Sequence, residues 1–193
     1  MVHQLYTIHQ VGFFSPFRYR LLREGAYNPA MTAMPKPPGA DRELREELVR
    51  LLEGGGAHAT FEDAIGGFPA EARGITLPGV SHTPWQLLEH LRLAQWDILE
   101  FSRNPAHESP AWPEGYWPPE SAPPTKTAWD ESVRRFLKDR VALTSWIQDA
   151  STDLFASVPD EDGPSLLHEI MITGQHNSYH LGQLLLLRRA LER

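Results

Sequence analysis

Apolar residues recur at three- and four-residue steps in four separate stretches of this chain, and nowhere do they alternate with polar residues over a strand's length. The first stretch, residues 41–53, places Leu44, Leu48, Leu51 and Leu52 at helical spacing and stops at Gly54, Gly55 and Gly56. The second has the clearest start signal of the four. Thr83 can cap, Pro84 suits the first helical position, and Gln86 stands three residues after Thr83 to complete a capping box. Leu87, Leu88, Leu91, Ala94, Ile98 and Leu99 carry that helix to about Ser102. The third covers 127–150 through Trp129, Val133, Phe136, Leu137, Val141, Leu143 and Ile147, and the fourth runs from about Ser165 to Leu191. A short helical turn is expected over 60–65. Helices with one apolar stripe bury it against one another, so the pattern predicts an all-α protein built as a four-helix bundle.

Two segments fall outside the periodicity. Residues 103–126 join the second and third helices and hold prolines at 105, 110, 113, 118, 119, 123 and 124 together with Trp112, Tyr116 and Trp117. A connection this long inside a compact domain usually has a function, and its aromatics predict that it packs across the bundle. Residues 1–38 show no sustained period and read as an N-terminal extension, with Met31 and Met34 as alternative starts ahead of a bundle domain at 39–193.

The stripes themselves carry the candidate chemistry. On the fourth helix His176 and His180 lie four residues apart, hence about 40° apart and one turn along the axis, where two imidazoles can reach one ion. Glu169, Ile172, Thr173, Gln183 and Leu187 share that face. On the second helix His90 and Asp97 interrupt the face formed by Leu87, Ala94 and Phe101. Buried polar groups need partners, and a metal ion supplies one. His90, His176 and His180 are therefore the expected ligands. Three imidazoles with an open position is the composition of a catalytic site, since structural sites are closed by four protein donors. Asp97 is either an outer carboxylate that accepts the second N–H of a ligand imidazole or the partner of an arginine on a neighbouring helix. Asn177 and Gln183 are candidates to orient substrate, or else polar contacts between helices. His58 and His82 read as surface-loop residues, and His3, His9, His107 and His168 are set aside.

Composition narrows the partners. The 193 residues carry a formal net charge of −7, and the arginine pairs at 134–135 and 188–189 read as solvated helix faces, so nucleic acid is not an expected partner. No apolar run approaches the roughly 20 residues of a membrane span. No secretory signal is visible, which makes a cytoplasmic location the expectation. The chain has no cysteine, so thiolate metal sites, disulfides and a cysteine nucleophile are all excluded.

With these residues placed, the sequence resembles the DinB/YfiT-like superfamily of metalloenzymes. The strongest likeness is GQHNSYHLGQLLLLRR at 174–189, where the family carries a His-x-x-x-His segment followed by Gly-Gln; the second is HTPWQLLEHLRLAQWDILEF at 82–101, where the family's remaining histidine falls on His90. The resemblance implies a bundle of unusual connectivity, with the long loop as a crossover. It implies one divalent transition metal ion on His90, His176 and His180, zinc or nickel foremost and iron or manganese after them. It also implies a homodimer. Relatives of this kind include transferases that use low-molecular-weight thiols, so the partners expected here are a small-molecule thiol and an electrophile. Metal-assisted hydrolysis and a non-catalytic, metal-stabilised bundle are the alternatives. The zincin pattern needs a glutamate directly after its first histidine, and Asn177 holds that place.

Overall fold

The structure is a computed structural model, and it describes residues 39–192. The expectations for residues 1–38 lie outside the described residues. Five α-helices follow in order: α1 (Ala40–Glu53), α2 (Phe61–Ile65), α3 (Pro84–Arg103), α4 (Ala128–Gln148) and α5 (Leu166–Leu191). The four long ones pack as a bundle, and the described residues form no strand beyond one isolated bridge between Ser157 and Ser165. No helix among the described residues is long and apolar enough to cross a membrane.

The ends of the helices follow from local chemistry. The Thr83 hydroxyl accepts from Gln86 N at 3.2 Å and the Gln86 side chain accepts from Thr83 N at 3.1 Å, so two otherwise orphaned donors at the start of α3 are satisfied. Thr60 and Asp63 build the same box on α2, which makes five residues hold as a helix. Ser165 caps α5 by accepting from His168 N. At the end of α1, Gly54 takes φ 76°, a left-handed conformation that costs a glycine nothing. The buried Arg45 guanidinium serves the far end of α4: it donates to the carbonyls of Ile147, Asp149 and Thr152 at 2.8–2.9 Å and pairs with Asp41. The Ile147 carbonyl in the last turn of α4 has no helical partner of its own, so a side chain from α1 replaces water there.

Apolar packing divides into two clusters with a polar belt between them. One gathers Phe61, Leu88, Leu91, Trp129, Phe136 and Leu184 from α2, α3, α4 and α5, with the Phe61 and Phe136 rings stacked at 4.0 Å. The other joins α1, α4 and α5 through Leu48, Leu52, Leu143, Ile147, Leu166 and Ile170. Val141, which the sequence pattern puts on the apolar stripe of α4, is instead 61% exposed. The belt holds His90, Gln95, Asp97, Thr173, Asn177 and His180, all buried. Gln95 donates to Phe136 O at 2.7 Å and accepts from Asn177 Nδ2 at 3.0 Å, which ties α3 to α4 and α5. Asn177 thus makes the interhelical contact that was the alternative to orienting substrate.

Close approach of α1 to α5 depends on Gly174, where an added Cβ would lie 2.4 Å from Leu51 Cγ. A Gly174→Val substitution should cost about 2 kcal/mol by overpacking. In urea titration the midpoint should fall while the slope stays unchanged, because the surface exposed on unfolding is the same.

Candidate metal centre

Helix α5 presents His176 and His180 one turn apart, and α3 delivers His90 opposite them. The ring centroids form a nearly equilateral triangle, with separations of 4.9 Å (His90–His176), 4.6 Å (His90–His180) and 4.6 Å (His176–His180). One nitrogen from each ring falls within 4.8 Å of the others, and no other group among the described residues gathers three potential ligands in this way. His90 and His180 are buried and His176 is half-buried.

The outer nitrogens decide what the inner ones can do. His90 Nδ1 lies 3.0 Å from the Tyr116 carbonyl, and His180 Nδ1 lies 2.8 Å from Gln183 Oε1. Both partners are acceptors, so each Nδ1 carries the proton and each Nε2 keeps its lone pair. His90 Nε2 then faces His176 Nε2 at 3.0 Å. A neutral His176 that carries its proton on Nε2 donates it to His90 Nε2, whereas one that carries it on Nδ1 leaves both Nε2 lone pairs to a cation. Two imidazole nitrogens bound to one tetrahedral ion at about 2.0–2.1 Å would be roughly 3.3 Å apart, close to what is seen. Protonation is disfavoured for every member. Burial, with the neighbouring His180 next, pushes His90 down to about 3. Burial and then the two other imidazoles hold His176 well below its ordinary value. Burial also lowers His180, against a smaller opposing contribution from its bond to Gln183. Neutral, oriented and convergent imidazoles are what a divalent transition metal requires, and the donor set fits one.

Comparison with known families agrees with this geometry: the model of the DinB superfamily matches residues 55–184. The chain belongs to the DinB superfamily. The match spans α2 to most of α5 and takes in all three histidines, while α1 lies ahead of it. No curated protein and no solved structure matches the chain.

Within this DinB fold, Gln183 Oε1 accepts from His180 Nδ1 and so fixes the tautomer of that ring. Asp97 is removed from the ligands. Its carboxylate accepts from Tyr116 Oη at 2.5 Å and pairs with His107 Nε2 at 2.7 Å, so it reaches His90 only by way of Tyr116. The physical reason is the long loop, which brings Tyr116 and His107 into the space that a bare helical wheel assigns to an imidazole.

That loop supplies the groups that periodicity could not place. Trp117 lies flat on His90, with centroids 3.8 Å apart and planes 4° apart, and His82 stacks on Trp117 at 3.7 Å and 10°. His82, read from sequence as a surface residue, is half-buried in this aromatic stack, and burial lowers its pKa. His107 is likewise half-buried, paired with Asp97 and in a T-shaped contact with Trp96. The only sequence signal for any of this was the loop's aromatic content. His58 does remain exposed, and its ring meets the Ser178 hydroxyl at 2.9 Å.

Proposed function

We propose that this DinB protein is a metal-dependent enzyme that transfers a low-molecular-weight thiol to a small electrophile. The observation that carries the reading is the donor set: three neutral imidazoles converge, and no carboxylate or fourth imidazole joins them within coordinating reach among the described residues. A site that only stabilises the fold is normally closed by a fourth protein donor. A divalent ion held by His90, His176 and His180 would keep its full charge and would lower the pKa of a thiol taking its open position.

The residues around the ligands perform the remaining tasks. The Tyr116 carbonyl and Gln183 hold the protons of His90 and His180 on Nδ1, so that both rings stay neutral donors. Trp117 covers one face of His90 and keeps water from it. No cysteine exists in the chain to compete as an internal nucleophile. In the transfer the sulfur–carbon bond forms, the bond from that carbon to its leaving group breaks, and the thiol proton passes to solvent.

Hydrolysis is the less favoured reading because Asn177, in the place of a zincin's glutamate, is engaged with Gln95 and offers no base. The test is turnover of a chlorinated aromatic electrophile with a panel of low-molecular-weight thiols. Thiol-dependent turnover should disappear on chelation and return when zinc or nickel is restored. A fully loaded protein that consumes none of the thiols, yet hydrolyses an ester, would overturn the proposal in favour of hydrolysis.

A further inference from the structure

The loop at 104–126 is fastened to α3 on both sides of the two residues that touch His90. Downstream, the Thr83 hydroxyl donates to Ser121 O at 2.6 Å and Gln86 Nε2 donates to Pro118 O at 3.3 Å, so the capping box of α3 doubles as an anchor. Upstream, Asp97 holds the Tyr116 hydroxyl with one oxygen and His107 with the other. Between these anchors the dipeptide at 116–117 grips the imidazole from two directions. The Tyr116 carbonyl takes its Nδ1 proton and the Trp117 indole lies on its face. Tyr116 and Asp97 are 2% and 4% exposed, which leaves little room for either to act through water.

Phenol and carboxylate are costly to bury unless bonded, and here each satisfies the other. A hydrogen bond with a carboxylate acceptor is also stronger than one between neutral groups. Neither apolar cluster includes Tyr116, and its hydroxyl meets Ser109 of the same loop as well as Asp97. What the hydroxyl fixes is the position of its own main-chain carbonyl, and the carbonyl in turn fixes the tautomer and direction of a ligand imidazole.

We propose that Tyr116 is a positioning residue for the metal centre, locked by Asp97 and His107, and that ion binding at His90 and docking of the loop at 104–126 stabilise one another. The proposal rests on the three-histidine reading. Partners that orient ligand imidazoles from outside commonly change metal affinity by 10–100-fold. Binding free energies are reciprocal, so whatever the docked loop does for the ion, the ion does for the loop.

The experiment measures Zn²⁺ affinity of the full chain by competition with a chromophoric chelator, and amide exchange over 104–126 with and without Zn²⁺. Tyr116→Phe keeps the carbonyl and removes only the hydroxyl. It should weaken Zn²⁺ binding about tenfold, with helix content by circular dichroism unchanged. Zn²⁺ should slow exchange in the loop of the wild type and have much less effect in the variant, which a merely structural tyrosine would not produce. His107→Gln retains an N–H donor for Asp97 and should restore near-wild-type affinity where His107→Ala does not. Should Tyr116→Phe fail to fold, the His107 pair reads the same two quantities. His90→Ala separates the two claims. If it abolishes binding while Tyr116→Phe and His107→Ala bind as tightly as wild type, the positioning role is overturned and the site stands. If His90→Ala binds Zn²⁺ normally, the site reading itself falls.

Discussion

If His90, His176 and His180 hold a divalent ion as proposed, replacing His176 and His180 together by alanine should leave a folded protein that no longer retains it. The two rings occupy one turn of α5 and supply two of the three donors, so His90 is left as a single imidazole. One imidazole binds divalent ions far more weakly than three convergent ones, and a loss of at least about a thousandfold is expected. Elemental analysis after gel filtration reads the content directly. Thermal unfolding reads the same loss in energy: an ion at a thousand times its dissociation constant stabilises by about 4 kcal/mol, and that increment should vanish from the double variant. Each protein is compared with its own chelated form, so packing lost with the imidazoles cancels. Retention of stoichiometric metal by the variant would move the site elsewhere in the chain.

The same helix shows how far sequence could lead and where it stopped. The direction of His90, His176 and His180 was legible because each lies on a long helix whose apolar neighbours define an inside. The cap at Thr83 was legible because its partner is three residues away. Tyr116, Trp117 and His107 were not, because the bonds that place them run to residues far along the chain, as from Thr83 to Ser121 or from Asp97 to Tyr116. Helical spacing told that Asp97 faces inward but not what the loop would bring to meet it. Gln183 was placed on the face of the two histidines, yet its contact depends on a rotamer that spacing does not specify: its Oε1 accepts from His180 Nδ1. Val141 erred the other way, since three- and four-residue steps drift around a helix as long as α4 and one late member can emerge into solvent.

Glu169 is the residue whose cost is most open to measurement. It lies on α5 on the stripe that leads to His176, and burial, with the nearby Asp97 carboxylate next, raises its pKa to about 7. A carboxyl raised in the folded state is protonated in both folded and unfolded chains below its ordinary value of 4.5, and no penalty exists there. As pH climbs through 7 the unfolded chain has already ionised freely while the folded one must ionise in a poor environment, so stability is lost between those limits. Every tenfold difference in proton affinity between the two states is worth about 1.4 kcal/mol, and partial access of solvent to the side chain reduces the total to roughly 2 kcal/mol. A Glu169→Gln substitution removes the ionisable group and keeps the shape. With metal chelated, so that the histidines contribute no ion-linked slope, the variant should match the wild type at acidic pH near the lower limit and exceed it by roughly 2 kcal/mol above neutrality. Urea titrations at both ends of the window check this. A variant equally stable at both ends would show that Glu169 ionises without hindrance. A variant less stable in alkali would show that the charge is paired rather than merely buried, because removing a paired charge destabilises and removing an isolated one relieves.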